Sequence, residues 1–198
     1  GGVNVYNRKN NTYRWYRHEE GKNSISHNNV KAIYYDRTEE IMWIGTHLGG
    51  LNKLDLHTNR FTVYRMKAGD PATLPSDIVR DIVPYGDKLI IATQNGVCLF
   101  NPATGTCEHL FKDTKEGRNI GMVASLYIDK DETLWVSATG EGVYSYRFDT
   151  GKLTHYAHNP SIPNTLSNNN VNNIMQDSNG NLWFSTSGSG LDRYRKES

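Results

Sequence analysis

The sequence predicts an all-β fold, and three observations carry this prediction. The chain of 198 residues is only 36% hydrophobic but 11% aromatic, unlike the aromatic-poor composition of disordered chains. It contains 18 glycines, and 21 asparagines against two glutamines; both abundant residues favour tight turns and positive φ angles. Short strand-like runs recur at a constant interval, and the 3.6-residue apolar period of helices is not visible. The chain is therefore predicted to consist of many short strands joined by turns.

A repeated segment rich in tryptophan and glycine sets the interval. Its four copies are Met42–Leu51, Leu89–Val97, Leu134–Val143 and Leu182–Leu191, and Gly2-Val3 is the tail of a fifth. The last glycine of each copy stands at positions 2, 50, 96, 142 and 190, so the spacings are 48, 46, 46 and 48 residues. Repeats of this length, with four strand-like runs in each, are typical of β-propeller blades.

Four strands, which we call A to D in chain order, account for each period. Strand A alternates apolar and polar residues, as in Val30, Ala32 and Tyr34 or in Ile78, Arg80 and Ile82. Strand B carries the tryptophan, strand C follows the glycine, and strand D carries aromatic residues. Strand C occurs five times and the other strands four times each. These counts predict one propeller segment over residues 1–198, with about four blades of four-stranded antiparallel sheets, cut in mid-blade at both ends.

Two motifs add a family resemblance. The pattern L-W-[IVF]-[GS]-T-x-x-x-G-[LV] stands at Leu182–Leu191, and S-x-N-x-V-x-x-I-x-x-D stands at Ser167–Asp177. Together they resemble the two-component regulator propeller repeat, found in the periplasmic sensor region of hybrid two-component histidine kinases. The second copy departs from the pattern, with Ile90 in place of tryptophan, and the third copy lacks the Ser-x-Asn entry to strand A.

The resemblance implies an extracytoplasmic sensor that detects a glycan or oligosaccharide and signals to a kinase outside this chain. The segment itself is then not an enzyme, the location is periplasmic, and membrane contact is made only through an anchor elsewhere in the parent protein. Two alternatives remain open at this point. One is a scaffold that binds protein partners, and the other, on fold analogy alone, is a glycan-active lyase or hydrolase.

Candidate ligand contacts lie on the propeller face that the D-to-A and B-to-C loops share, because convergent loops make concave sites. The B-to-C candidates are His47, Gln94, Glu141 and Ser189, and the D-to-A candidates are His18, Arg65, Arg118 and His158. Aromatic residues at the ends of strand D could also stack on sugars, or could instead pack against the neighbouring sheet: Trp15, Tyr16, Tyr64 and Tyr156. The strand B tryptophans are predicted to be inter-sheet core.

Charge and composition argue against several other functions. The net charge of +1 and the scattered cations disfavour nucleic-acid binding. No motif for a cofactor, a metal site or a catalytic constellation stands out, and no stretch has the length of a membrane span. Unpaired edge strands invite pairing, so we expect self-association through exposed terminal blades. The hairpin geometry places Cys98 and Cys107 diagonally across two strands, which predicts two free thiols.

Overall fold

The computed structural model describes residues 1–111 and 120–195. All regular structure in these two ranges is β-strand, arranged as five antiparallel sheets. The chain divides into two compact units, Gly1–Leu110 and Phe111–Ser198, and each unit is described here by itself.

Unit 1 contains one two-stranded sheet and two four-stranded sheets. Sheet 1 consists of β1 (Val3–Asn7) and β2 (Thr12–Tyr16). Sheet 2 consists of β3 (Val30–Asp36), β4 (Ile41–Thr46), β5 (Leu51–Asp55) and β6 (Arg60–Tyr64). Sheet 3 consists of β7 (Val79–Tyr85), β8 (Lys88–Thr93), β9 (Gly96–Asn101) and β10 (Thr106–Leu110).

Unit 2 contains a four-stranded and a three-stranded sheet. Sheet 4 consists of β11 (Val123–Ile128), β12 (Thr133–Ala138), β13 (Gly142–Arg147) and β14 (Lys152–Tyr156). Sheet 5 consists of β15 (Val171–Gln176), β16 (Leu182–Thr186) and β17 (Gly190–Tyr194). Strands are hydrogen-bonded in chain order within every sheet, so the predicted meander of strands A to D is confirmed. Among the described residues, β17 is an edge strand.

Strand A departs from the predicted plain alternation. In all four copies the register of strand A against strand B shifts by one residue near its start, for example between Val30 and Ala32 and between Val79 and Asp81. The skipped residues are Lys31, Arg80, Ala124 and Asn172. Such a bulge re-aims one side chain out of the pleat. The alternation of Ile78, Arg80 and Ile82 expected from the sequence was therefore wrong, because Arg80 occupies the bulge.

Neighbouring sheets pack through the tryptophan of strand B. In unit 1 the Trp43 ring lies 5.5 Å from Phe100 of sheet 3, edge to face. In unit 2 the Trp135 ring lies 5.8 Å from Phe184 and 5.4 Å from Tyr194 of sheet 5. Both tryptophans are buried, which confirms the predicted inter-sheet core at these two positions.

The strand D aromatics mostly join this core. The Tyr64 ring is 4.9 Å from Phe100, the Tyr156 ring is 5.6 Å from Trp135, and Tyr16 is buried beside Phe61. These contacts favour the packing alternative for three of the four strand D aromatics. Only Trp15 of that group has most of its surface exposed.

The repeated glycine before strand C is required by the backbone. Gly50 has a φ of +74°, and a Cβ added there would lie 2.2 Å from the carbonyl oxygen of Tyr64 on the adjacent strand D. Gly2 and Gly142 meet the carbonyls of Tyr16 and Tyr156 in the same way, at 2.2 and 2.3 Å. The left-handed φ and the close backbone approach both exclude a side chain.

Candidate functional site

Three D-to-A loops, at residues 17–29, 65–78 and 157–170, share one internal architecture. A hydroxyl near the middle of each loop accepts a backbone N–H from its start: Ser24 from Glu19, Thr73 from Lys67 and Thr165 from Asn159. The next residue is aliphatic and buried in each case: Ile25, Leu74 and Leu166. These long loops therefore share the same internal hydrogen bond and the same buried aliphatic residue. Their sequences differ at the positions between those residues.

An asparagine or aspartate near the end of each loop makes two hydrogen bonds that hold the loop in place. The Oδ1 atoms of Asn28, Asp77 and Asn169 accept the backbone N–H of His18, Met66 and His158, at 2.8, 2.7 and 2.6 Å. Their backbone carbonyls accept the N–H of Gly2, Gly50 and Gly142, at 2.7, 2.8 and 3.0 Å. One residue thus ties the loop both to its own start and to the glycine of the preceding sheet.

Two candidate histidines belong to these loops. The Nδ1 atom of His18 lies 2.8 Å from the carbonyl oxygen of Ile25, and the Nδ1 atom of His158 lies 2.5 Å from that of Leu166. Both residues are exposed, but one ring nitrogen of each is engaged in holding its loop. Their role in ligand binding stays a prediction.

The two candidate arginines of the D-to-A loops are Arg65 and Arg118, and only Arg65 lies within the described residues. Arg65 is exposed, and its Nη1 atom donates to the carbonyl of Leu48 at 3.2 Å and lies 3.4 Å from the Asp77 carboxylate. Arg65 therefore joins the D-to-A loop at residues 65–78 to the B-to-C turn that contains Leu48. Arg118 lies outside the described residues.

The B-to-C turns place equivalent residues one step after strand B. The backbone N–H groups of His47, Gln94, Thr139 and Ser187 each donate to the carbonyl of the residue before strand A, at distances from 2.8 to 3.0 Å. The structural counterparts of His47 and Gln94 are therefore Thr139 and Ser187, whereas the candidates Glu141 and Ser189 lie two residues further on. This correspondence can be found in the sequence by counting forward from the last residue of strand B. Counting back from the glycine before strand C gives Glu141 and Ser189 instead.

Side chains at these turns meet the bulged residues of strand A. The guanidinium of Arg80 donates from Nε and Nη2 to Oε1 of Gln94, at 3.2 and 2.6 Å. In sheet 5 the hydroxyl of Ser187 donates to Oδ1 of Asn172 at 3.1 Å. The sequence reasoning missed the bulged residues, because a bulge depends on pairing with strand B. We call the four bulge-and-turn pairs the bulge set; they are Lys31 with His47, Arg80 with Gln94, Ala124 with Thr139, and Asn172 with Ser187.

A second histidine lies beside His47. The His27 and His47 rings are 6.3 Å apart in a T-shaped arrangement. The Nδ1 atom of His27 accepts the backbone N–H of Asn29 at 3.0 Å, so in the neutral ring the proton is on Nε2. This end of unit 1 therefore combines imidazole, ammonium, guanidinium and amide groups.

The two remaining candidates, both in unit 2, differ in their contacts. The Oε2 atom of Glu141 accepts a hydrogen bond from the Tyr144 hydroxyl at 2.8 Å, and its carbonyl oxygen lies 2.7 Å from Nε2 of His155. The Tyr144 and His155 rings stack at 4.2 Å. Ser189 is an exposed turn residue. Ligand binding by Glu141 and Ser189 stays a prediction.

The cysteine pair belongs to the core of sheet 3. Cys98 pairs with His109 and Cys107 with Phe100, as the hairpin geometry predicted. Both thiols are free and buried, with their Sγ atoms 3.2 Å apart. Burial, reinforced by the hydrogen bond to Cys107, holds the pKa of Cys98 well above its ordinary value.

Residues 1–111 and 120–195 lack two kinds of feature. They hold no group of three or more His, Cys, Asp or Glu side chains that could bind a metal ion. They also hold no helical segment with the length and hydropathy of a membrane span.

Antiparallel four-stranded meanders that recur every 46 to 48 residues define the class of β-propeller repeat proteins. Comparison with known proteins agrees. Residues 165–188 match the family model described as the two component regulator propeller. The chain therefore carries the two-component regulator propeller repeat, and the resemblance stated from its motifs is confirmed.

The chain is also similar to a curated protein and to solved structures. It is 28% identical to "Histidine kinase P4" of Formosa agariphila over 97% of this chain and 14% of that protein. It is 26% identical, with a TM-score of 0.79, to the extracellular domain of the putative hybrid two component system BT3049 of B. thetaiotaomicron, over 93% of this chain and 25% of that one. The WD40 β-propeller domain of Doa1, 12% identical with a TM-score of 0.64 over 85% of this chain and 51% of that one, shares the fold.

The chain spans about a seventh of the curated relative and a quarter of the extracellular domain that it matches. It is thus similar to one part of the extracellular domain of a hybrid two-component system.

Proposed function

We propose that residues 1–198 form one propeller segment of a periplasmic sensor, which detects a glycan or oligosaccharide and signals to a histidine kinase outside this chain. The role is non-enzymatic and needs no cofactor. The observation that carries the proposal is the bulge set, in which chemically different side chains occupy equivalent backbone positions from sheet to sheet. A constant frame with variable polar groups suits the recognition of a specific ligand.

The chemistry of the bulge set suits sugar hydroxyls. Sugars offer many donors and acceptors in fixed directions, and the Arg80–Gln94 pair presents both kinds of group. The pair is already ordered by its own hydrogen bonds, so binding would cost little side-chain entropy. His27, Lys31 and His47 add further polar groups in unit 1.

The D-to-A loops of each unit would supply the surroundings of the bulge-set residues in that same unit. Arg65 lies between loop and turn, and we propose His18, His158 and Arg118 as further contacts at the loops. Because both histidines also hold their loops, replacing them tests loop order as well as binding. The bulge set therefore offers the cleaner test of ligand recognition.

The test is a binding screen with neutral and acidic oligosaccharides, using thermal shift followed by calorimetry. A true ligand raises the melting temperature in proportion to its concentration, by mass action. We expect Arg80→Ala and His47→Ala each to weaken binding of that ligand at least about tenfold, which corresponds to about 1.4 kcal/mol. The control His57→Ala removes an exposed ring that contacts Glu40 instead, and it should leave binding unchanged.

Two outcomes would contradict the proposal. One is the absence of any saturable oligosaccharide binding together with retention of a protein partner in a pull-down, which would favour the scaffold alternative. The other is turnover of an oligosaccharide, seen by chromatography of the same incubations, which would favour an enzyme.

We also propose self-association through exposed inter-sheet faces. Ile33 of β3 is 51% exposed, whereas its equivalents Ile82 and Ile174, which pack in the cores between neighbouring sheets, are 6% and 3% exposed. On sheet 1, three exposed rings stack side by side: Tyr6 and Tyr13 at 4.8 Å, and Tyr13 and Trp15 at 6.3 Å. An apolar face of this kind favours association.

Sedimentation velocity over a wide concentration range tests this second proposal. We expect concentration-dependent association of the wild-type chain and a shift toward monomer in Ile33→Asp. The matched control is Ile162→Asp, which alters an exposed isoleucine in a loop. A wild-type chain that stays monomeric at every concentration would refute it.

A further inference from the structure

Leu48, in the B-to-C turn of sheet 2, has a backbone conformation that leucine rarely adopts. Its φ is +69°, in the left-handed region where a Cβ comes too close to the following carbonyl oxygen. No other aliphatic residue within 1–111 and 120–195 has a positive φ. The turns of sheets 4 and 5 have Gly140 and Gly188 at the same distance from strand B, at φ angles of +81° and +83°. Leucine therefore occupies a position at which two other copies of the repeat have glycine.

Packing within the protein does not account for this leucine. Leu48 is 57% exposed, so burial recovers little of the free energy that its backbone conformation costs. At the equivalent Gly140 and Gly188, an added Cβ would meet no atom of the described residues within 4 Å, so this position of the turn faces open space. Backbone strain of this kind is concentrated at functional sites. An apolar side chain held there in a strained conformation is suited to contact with a ligand.

Two D-to-A loops contact the turn that carries Leu48. On the loop before sheet 2, the Cβ atom of His27 would lie 2.8 Å from a Cβ added to Gly49. On the loop after sheet 2, the Nη1 atom of Arg65 donates to the carbonyl of Leu48 at 3.2 Å. Leu48 is therefore exposed even though a described loop reaches its turn from each neighbouring sheet.

Hydrogen-bond donors lie beside this leucine. The Nδ1 atom of His27 accepts the backbone N–H of Asn29, so Nε2 of the neutral ring carries a proton to donate. The ring of His47, which directly precedes Leu48, lies 6.3 Å from the His27 ring. Arg65 adds a guanidinium, which donates and never accepts. The turn thus combines an apolar side chain with donors that suit an acceptor oxygen.

We propose that Leu48, the His27–His47 pair and Arg65 form a subsite for the acetamido group of an N-acetylated amino sugar. This inference rests on the proposed function and names the class of sugar that the segment recognises. An acetamido group carries a methyl group and a carbonyl oxygen on the same carbon. The methyl group packs against Leu48, and the carbonyl oxygen accepts a hydrogen bond from Nε2 of His27.

Other common sugar substituents match only one part of this subsite. A hydroxyl group offers an acceptor but no apolar surface for Leu48. A 6-deoxy sugar offers a methyl group without a carbonyl oxygen beside it, and a uronate offers a carboxylate without a methyl group. Donors that are left without an acceptor on binding lose the hydrogen bonds that they made to water, which weakens the complex.

Calorimetric titration of the 198-residue chain with two disaccharides tests the sugar class. The probes are N,N′-diacetylchitobiose and cellobiose, which share one linkage and differ in carrying an acetamido group or a hydroxyl group at one carbon of each unit. We expect saturable binding of N,N′-diacetylchitobiose, and binding of cellobiose that is weaker by about fivefold or more.

The variant Leu48→Gly separates ligand contact from folding. Glycine adopts the left-handed conformation without steric cost, so the melting temperature should not fall. Binding of N,N′-diacetylchitobiose should weaken by about fivefold or more, because the apolar contact is lost. The matched control is Glu40→Gly, which relieves a φ of +52° in the A-to-B turn of the same sheet. This control should bind the disaccharide like the wild type.

The variant His27→Asn tests the donor. Asparagine keeps the bond to the backbone, because the equivalent Asn168 accepts the N–H of Asn170 at 2.7 Å with its Oδ1 atom. The variant should therefore keep its melting temperature. It lacks the Nε2–H group of the imidazole, so it should bind N,N′-diacetylchitobiose about three- to fivefold more weakly.

The results that overturn this inference differ from those that overturn the proposed function. Equal binding of the two disaccharides, or a Leu48→Gly variant that binds like the wild type, would overturn the acetamido subsite alone. The same holds for a 6-deoxy or acidic oligosaccharide that binds in preference to N,N′-diacetylchitobiose. If a chain shown to be folded by its melting transition bound no oligosaccharide at all, both the subsite and the proposed function would be wrong.

Discussion

Sheets 2 and 5 carry the same repeat but offer its residues different surroundings. Leu51 opens strand C of sheet 2 and is 0% exposed, while its equivalent Leu191 in sheet 5 is 67% exposed. A Cβ added at Gly50 would lie 2.2 Å from the Tyr64 carbonyl oxygen, whereas a Cβ added at its equivalent Gly190 would have no atom of residues 1–111 or 120–195 within 4 Å. Sheet 2 has a fourth strand and packs on sheet 3, whereas sheet 5 has three strands among the described residues.

The comparison teaches that a single sheet does not bury its own repeated pattern. The tryptophan, the glycine and the aliphatic residue after it become core only when the fourth strand and a neighbouring sheet are present. These residues are therefore signals of sheet stacking, and ligand recognition has to be sought in the loops and bulges. Matched substitutions in the two sheets test this reading directly.

The largest difference is expected for the strand B tryptophans. Trp43→Ala removes a buried ring from the contact with Phe100 and should lower the free energy of unfolding by about 3–5 kcal/mol. Trp183 is half-buried and has Arg193 over its ring at 5.8 Å, so Trp183→Ala should cost only about 1–2 kcal/mol. Urea unfolding of both variants measures the difference. Equal losses would mean that sheet 5 is as fully packed as sheet 2.

Alanine substitutions at Gly50 and Gly190 separate the cost of backbone strain from the cost of a steric clash. Both Gly50 and Gly190 have positive φ angles, of +74° and +82°, so alanine at either position is strained by about 1–2 kcal/mol. Gly50→Ala also drives a Cβ into the Tyr64 carbonyl, and its total loss should reach roughly 3 kcal/mol or more. Thermal unfolding of the two variants checks this order. A Gly190→Ala variant that is as unstable as Gly50→Ala would contradict it.

A pH series tests the turn that supports sheet 5. Hydrogen bonds from the Trp183 indole and from Asn181 lower the pKa of Asp177 from 3.8 to about 2. Because the folded pKa lies below the unfolded one, this stabilisation is present above pH 3.8 and is lost as the pH falls toward 2.

Asp177→Asn keeps a hydrogen-bond acceptor but removes the charge. The variant should be less stable than wild type at neutral pH, and the gap between them should shrink as the pH falls toward about 2. Urea midpoints of both proteins across this range provide the measurement. A gap that stays constant with pH would show that the ionised carboxylate contributes nothing.

The smallest effect is expected for the thiols in the complete sheet 3. Cys98 and Cys107 are buried and free, so the folded chain should take up no alkylating reagent without reductant. After denaturation without reductant, mass spectrometry should find two labels. Failure to label the denatured chain would reveal a disulfide, and rapid labelling of the folded chain would reveal an open sheet.

Much of the fold was predictable from contiguous residues. Strand C was predicted to follow the glycine of each repeat, and in the structure β1 begins at Val3, directly after Gly2, and β5 begins at Leu51, directly after Gly50. The hairpin register that sets Cys98 opposite His109 also follows from loop length alone. Each of these features is determined within a few neighbouring residues, by side-chain period and turn chemistry.

The candidate site was less predictable. The loop histidines His18 and His158 were predicted as exposed ligand contacts. Their Nδ1 atoms contact loop carbonyls, which the sequence pattern does not predict. Arg80 was assigned to a plain alternation, and its bulge turns it toward Gln94. These errors arise because a residue's partner lies in another element.

Sequence alone determined the strand order, the turns, the repeat and the family to which the repeat belongs, since each of these depends on local pattern and on recurrence. Tertiary structure decided which copies of the pattern are buried, where the bulges point and which side chains hold loops. The bond between Asn23 and Phe61 joins residues 38 positions apart. That contact forms only when the loop before sheet 2 folds back onto the last strand of that sheet, and neither its geometry nor the burial of the surrounding residues can be read from neighbouring residues in the sequence.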